Sequence, residues 1–189
     1  METLLEAPHQ LLITYIALTF IIQLRYFLIV GPLHWMLWNS KFYFKNAFKL
    51  SKSPPNPKTI KHEIKLSLIS SFIYAAPTAV VLEMWKYGGT AIYSGVPEGM
   101  NGWFWVILSM LIYLFVQDAW FYWTHRLMHK KTLFKWMHSG HHKSIQPTPW
   151  ASFSFDPLEA FSAAWLLPVL ALLVPIHISP SESWYAALI

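Results

Sequence analysis

Four apolar stretches dominate the chain, at about Leu11 to Val30, Ile64 to Trp85, Trp103 to Trp123 and Leu158 to Ile178. Each is close to the roughly 20 residues that a helix needs to cross the hydrocarbon core of a bilayer. Inside that core water offers no hydrogen bonds, so every backbone N–H and C=O must find its partner within the protein. Only helices and closed barrels meet that demand. Apolar runs this long are helical, so the expected fold is all-α and integral to the membrane, with about four transmembrane helices. Composition agrees: 55% of residues are hydrophobic, 17% aromatic and only 12% charged, with a mean hydropathy of +0.36. Soluble domains carry about 25% charged residues. "GPLHWMLW" after Val30 is read as an interfacial continuation of the first span. Arg25 is expected near an interface with its head reaching water. Pro77, Pro168 and Pro175 fall inside spans, where kinks are tolerated. Glu2 and Glu6 stand where a signal peptide would be basic, and the first apolar run is too long for one.

The formal charge of +5 and pI of 9.4 would suggest nucleic acid if the chain were soluble. The cations instead sit in two blocks between spans. Lys41, Lys45, Lys49, Lys52, Lys58, Lys61 and Lys65 surround "SKSPPNPK", and Arg126, Lys130, Lys131, Lys135 and Lys143 follow the third span. The loop "KYGGTAIYSGVPEGMNG" between them carries one lysine and one glutamate. By charge bias the two basic loops are cytoplasmic and the glycine-rich loop is not. A nucleic-acid partner is not expected. The absence of cysteine excludes disulfides, iron–sulfur clusters and thiolate nucleophiles.

The second basic loop also holds "HRLMHKKTLFKWMHSGHH", with five of the nine histidines in the chain. His125 and His129 stand four apart, on one face of a helix, where two imidazoles can share one ion or reach two. His138, His141 and His142 follow in "HSGHH". Adjacent histidines point different ways, so the doubled pair favours a site with more than one metal ion. Imidazole alone does not choose between iron, zinc, copper and nickel. A zinc peptidase is disfavoured, because Arg126 stands where that motif needs its glutamate base. Asp118, Tyr122, His125 and His129 form one helical stripe at spacings of four, three and four. Asp118, and with it Tyr122, is therefore expected to support the histidines from behind; pairing of Asp118 with Arg25 is the alternative. His9, His34 and His62 are read as interfacial. His177, at the end of the fourth span, is a further candidate. A surface for anionic lipid headgroups would draw on the same basic loop.

"DAWFYWTHRLMH", "FKWMHSGHHKS" and "PTPWASFSFDPLEA" together resemble the fatty acid hydroxylase / sterol desaturase superfamily of membrane-bound non-haem di-iron oxygenases. The third stretch is most similar to the sterol C5-desaturase branch. The likeness is specific over about residues 113–160, and elsewhere it rests on the layout of spans. It divides the chain into an N-terminal transmembrane region, 1–100, and the first part of a hydroxylase-type domain, 101–189. The resemblance implies a cytoplasmic histidine-rich cap in which His125, His129, His138, His141 and His142 bind two iron ions. It implies O2 as co-substrate, a lipid substrate (sterol or fatty acyl) in the membrane, and hydroxylation or desaturation of an unactivated C–H bond. No flavin, nicotinamide or fused haem motif is present, so a separate electron carrier, cytochrome b5-like or ferredoxin-like, is implied. The membrane would be the endoplasmic reticulum in a eukaryote and the inner membrane in a bacterium.

Two features depart from the family. Asp156 stands where a histidine usually precedes the proline, and Phe153 where the C5-desaturase branch tends to have another; Asp156 could itself serve as a carboxylate ligand. The family's third histidine box does not occur before Ile189, and five histidines with His177 would not fill two iron spheres. "SWYAALI" opens another apolar segment, so the chain is expected to continue in a longer protein, truncated here before its last helices. Two rivals share these residues: a non-catalytic relative that binds metal or lipid, and a small metal transporter.

Overall fold

The computed structural model describes residues 8–38, 54–93 and 99–175. Within them the protein is helical, with three long helices. These are α1 (Pro8–Trp38), α2 (Pro57–Lys86) and α3 (Gly99–Met128), each long and apolar enough to cross a membrane. Short helices follow: α4 (Lys131–Met137), α5 (Pro157–Ala164) and α6 (Leu166–Leu173), with single 3-10 turns at His141–Lys143 and Pro149–Phe153.

The helices exceed the predicted spans at both ends, for local reasons. α1 runs unbroken through "GPLHWMLW", and Pro32 sits inside it rather than ending it. α2 begins seven residues early, where Asn56 accepts a hydrogen bond from the Lys58 amide (2.9 Å) and Pro57 occupies the first turn. α3 continues past Trp123, so His125 and Arg126 lie in its last turn.

The predicted fourth span differs most. Its described part is two short helices that meet at Trp165. Pro168 explains the break, since it has no N–H to donate and its ring crowds the carbonyl of Ala164 four residues earlier. The pair still travels the height of the bundle: the Ala91 amide, just beyond α2, donates to the Ala171 carbonyl (2.9 Å). His177 lies outside the described residues.

α1 and α2 pack antiparallel through small side chains. Ala75 and Ala79 are fully covered and seat Leu18 and Ile22. In lipid, where apolar surface gains little by leaving the solvent, such close backbone approach is what holds helices together. Thr19 and Thr78 return their hydroxyls to the carbonyls of Tyr15 and Tyr74 (2.8 Å each), so neither leaves an unpaired polar group. At one end of the pair Thr14 of α1 donates to buried Glu83 of α2, which also takes the Lys86 ammonium at 2.6 Å.

The other end is polar by design of α2. Glu63, Ser67, Ser70 and Ser71 are buried on one stripe. Glu63 accepts the Thr148 amide (3.2 Å), the Thr148 hydroxyl (2.5 Å) and the Ser144 hydroxyl. Ser67 and Tyr26 both donate to the Trp150 carbonyl (3.0 and 2.7 Å), and Ser70 donates to that of Phe155 (3.3 Å). Irregular backbone between residues 144 and 155 thus finds its partners on α1 and α2. α3 stands apart, with Ser109 and Met128 its buried residues. Phe104, Ile107, Leu111, Leu114 and Phe115 are exposed along it.

Candidate metal centre

The histidine cluster is assembled by three short pieces of chain around the end of α3. His125 projects from its last turn and His129 follows its last residue, with rings 4.9 Å apart and Nε2 atoms facing at 3.2 Å. The chain then turns through α4, whose C-terminal cap is His138. That turn drives His138 under the α3 pair, with ring centres 4.4 Å from His125 and 4.8 Å from His129. The following 3-10 turn carries His141 and His142. His142 lies 4.6 Å from His138 and 5.0 Å from His129, and His141 lies 5.4 Å from His138. All five predicted histidines therefore meet in one place.

Their adjacency explains their different surroundings. His141 points inward, donating Nδ1–H to the Ser154 carbonyl (2.9 Å) beside Phe155. A carbonyl can only accept, so the proton sits on Nδ1 and the lone pair on Nε2. His142 points outward and is exposed.

α5 closes the cluster from the covered side. Glu159, in its first turn, is 3% exposed and its Oε2 lies 2.9 Å from His138 Nδ1. Its other oxygen lies 3.7 Å from His125 Nδ1. Asp156, three residues earlier, does not cap its own helix. Its Oδ2 instead accepts the amides of Gly140 (2.7 Å) and His141 (3.0 Å), and so grips the backbone between the second group of histidines. The approach requires glycine at 140, since a Cβ there would meet the Asp156 carboxyl, with Cγ at 2.9 Å. His62, read as interfacial from sequence, reaches the same turn: its Nε2 lies 2.9 Å from the Gly140 carbonyl.

The donor chemistry fits a metal ion. One ligand atom each from His125, His129 and His138 lies within 4.8 Å of the others. Imidazoles around one ion sit about 3–3.5 Å apart, given metal–nitrogen bonds of about 2.0–2.1 Å. The His125–His129 pair already meets that spacing, with Nε2 atoms 3.2 Å apart. His138 Nε2 is buried with no hydrogen-bond partner, an orphan that costs free energy unless something binds it. Burial, and then the neighbouring His142, His141 and His129, push the pKa of His138 down to about 4. It is neutral at physiological pH, as a ligand must be.

Asp118 and Tyr122 are not brought into the cluster. Asp118 is exposed on α3, two turns below His125, and at 1.5 Å rise per residue about 10 Å separates them, beyond the reach of an aspartate. Tyr122 is 53% exposed, and its hydroxyl accepts from Arg126 (2.9 Å). The stripe exists, but only its last two members, His125 and His129, reach the cluster, while Asp118 and Tyr122 are exposed. The carboxylate behind the histidines comes from Glu159, thirty-four residues after His125. Its sequence signature, Asp-Pro-x-Glu, reads as an ordinary helix start and conceals the role.

The chain is similar to known proteins. Residues 110–189 match the Fatty acid hydroxylase family. The chain is 32% identical over 127 residues to a Delta(7)-sterol 5(6)-desaturase of Gibberella zeae, covering 65% of this chain and 38% of that protein. It is 34% identical over 136 residues to another from Aspergillus fumigatus (65% and 40%). It is 30% identical over 137 residues to lathosterol oxidase of Rattus norvegicus (72% and 46%). The chain thus spans less than half the length of these relatives. No solved structure matches it.

Proposed function

We propose that this chain, whose residues 110–189 are a fatty acid hydroxylase domain akin to the sterol 5(6)-desaturases, is the histidine-bearing part of a membrane oxidoreductase acting on a lipid. The substrate is a sterol or fatty acyl chain, and the reaction is its desaturation or hydroxylation with O2. The observation that carries this reading is the convergence of His125, His129 and His138, with His138 Nε2 buried and unpartnered among them.

In this reading His125, His129, His138, His141 and His142 hold two iron ions. Bound iron would supply the dioxygen activation that an unactivated C–H bond requires. The protein does the rest. The Ser154 carbonyl and Glu159 hold ring nitrogens so that the opposite ones face the metal. Asp156 and His62 hold the turn on which His138, His141 and His142 ride. α3 ends at the cluster while much of its surface is exposed, and exposed Phe121 stacks on His125, so a substrate dissolved in the bilayer would approach there. Asp118 and Tyr122, on that exposed surface, would act on substrate approach or from the periphery rather than on a ligand.

The basic start of α2 and the histidine turn share one end of the bundle, through the contacts of His62 and Glu63. By charge bias that end would be cytoplasmic, at the endoplasmic reticulum in a eukaryote and at the inner membrane in a bacterium. A separate electron carrier, cytochrome b5-like or ferredoxin-like, would dock on the cations there.

The test is to purify the protein in nanodiscs, measure bound iron, and follow sterol and acyl products with O2 and a reduced donor. Iron and product are expected in the wild type, and product is lost in His141→Ala with membrane insertion intact. Full turnover in that variant removes the catalytic reading. Iron binding without turnover of any lipid leaves a metal-binding relative instead.

A further inference from the structure

The cluster contains a carboxylate that neither the family resemblance nor the histidine spacing assigns. Glu159 sits in the first turn of α5, 3% exposed, with its two oxygens aimed at two different histidines. Oε2 lies 2.9 Å from Nδ1 of His138, and Oε1 lies 3.7 Å from Nδ1 of His125. These imidazoles belong to different segments: His125 to the end of α3, His138 to the cap of α4. Both hide a nitrogen without a hydrogen-bond partner, Nδ1 in His125 and Nε2 in His138.

We propose that Glu159 is a positioning residue that sets the tautomer of His138, leaving its Nε2 as a bare lone pair toward the metal. An ionised carboxylate has acceptors and no proton to give, so a nitrogen that faces it carries the hydrogen. His138 is thereby held as the Nδ1–H form, with its orphaned Nε2 free for an ion. His125 Nδ1 stands 3.7 Å from the same carboxylate, beyond hydrogen-bond distance, and its Nε2 faces His129 Nε2 at 3.2 Å. Glu159 thus ties α5 to the cap of α4, and the backbone grip of Asp156, one turn away, keeps α5 against the turn at Gly140. The proposal rests on the metal-binding reading only for its purpose; the tautomer is a property of the metal-free protein.

Glu159→Gln is nearly isosteric but changes the chemistry. The amide can accept from Nδ1–H through its oxygen, or turn and donate its NH2 to a bare Nδ1. The second choice moves the proton to Nε2 and blocks the metal face. The experiment uses the whole chain in nanodiscs with 15N-labelled histidine, at neutral pH and without metal. His138 is expected as a single Nδ1–H tautomer in the wild type and as a mixture in Glu159→Gln. Titration with Co(II), read by its visible absorption, is expected to show affinity about 10–100-fold weaker in the variant.

An Nε2–H tautomer for His138 in the wild type overturns the proposal, and does so even if no variant folds. So does a Glu159→Gln protein with unchanged tautomers, whether its Co(II) affinity holds or falls through lost packing. A wild type with the expected tautomer that binds no Co(II) overturns the metal reading and leaves the positioning role of Glu159 standing.

Discussion

Gly140 and Asp156 should be worth almost nothing to one another once either is changed, and that can be measured as a double-mutant cycle. Asp156 accepts two backbone amides, from Gly140 at 2.7 Å and His141 at 3.0 Å. Hydrogen bonds to a charged group contribute about 1.5–3 kcal/mol each. Asp156→Ala removes both and leaves the donors in a covered turn, for a loss of about 3 kcal/mol. Gly140→Ala reaches the same end by another route. The backbone at Gly140 is ordinary right-handed helical, φ −69° and ψ −43°, so alanine meets no conformational objection there. Its Cβ instead collides with the Asp156 carboxyl, whose Cγ would lie 2.9 Å away. The carboxylate must leave, and the same two hydrogen bonds go with it. In the Asp156→Ala background that collision is gone. Gly140→Ala should there be neutral, or stabilising by about 0.5–1 kcal/mol through reduced freedom of the unfolded chain. The coupling is therefore about 3 kcal/mol, far outside the roughly 0.3–0.5 kcal/mol within which independent sites add. The assay is reversible unfolding by SDS in mixed micelles, followed by tryptophan fluorescence, on the four proteins of the cycle. Additive losses, or an Asp156→Ala protein within about 0.5 kcal/mol of wild type, would refute the clamp.

Other outcomes follow from the same structure. Glu63→Ala should destabilise the protein by about 3 kcal/mol and expose residues 139–156 to protease first, because Ser144 and Thr148 lose their common acceptor; equal digestion of wild type and variant would contradict this. His138 has an ordinary unfolded pKa of 6.5 and a folded value near 4, so the unfolded state binds its proton first as pH falls. Metal-free protein should lose up to about 3 kcal/mol between pH 6.5 and pH 4, with nothing lost above that window. The slope should flatten by about one proton in His138→Gln, and an unchanged slope would show that His138 is not the group responsible. Ala79→Leu should cost about 1–3 kcal/mol by forcing α1 from α2, whereas Leu111→Ala on the open face of α3 should change stability by less than about 0.5 kcal/mol. Comparable effects at the two positions in the SDS assay would mean that α3 is not the uncovered helix.

The long helices and the histidines were readable because each has a local cause. Twenty apolar residues must be helical in lipid wherever they lie, and the spacing of His125 and His129 puts two imidazoles on one face whatever else surrounds them. His138, His141 and His142 were readable as further donors by density alone. The helix ends were less so: Asn56 with Pro57 starts α2 early, and Pro168 splits the last apolar stretch at Trp165, although both signals are present in the sequence.

What tertiary structure decided is which carboxylates and carbonyls stand behind the histidines. Asp118 shares the helical stripe of His125 and lies close in sequence, yet a helix carries it two turns away to an exposed flank. Glu159 and Asp156 are distant in sequence and arrive because α5 packs against the turn at Gly140. Likewise Glu63, Ser67 and Ser70 look in sequence like scattered polar residues at the start of a span, and only the packed loop at 144–155 turns them into its acceptor and donors. The His125–His129 pair follows a helical period that one segment sets by itself. Its supports are chosen by contact between segments, which no periodicity records.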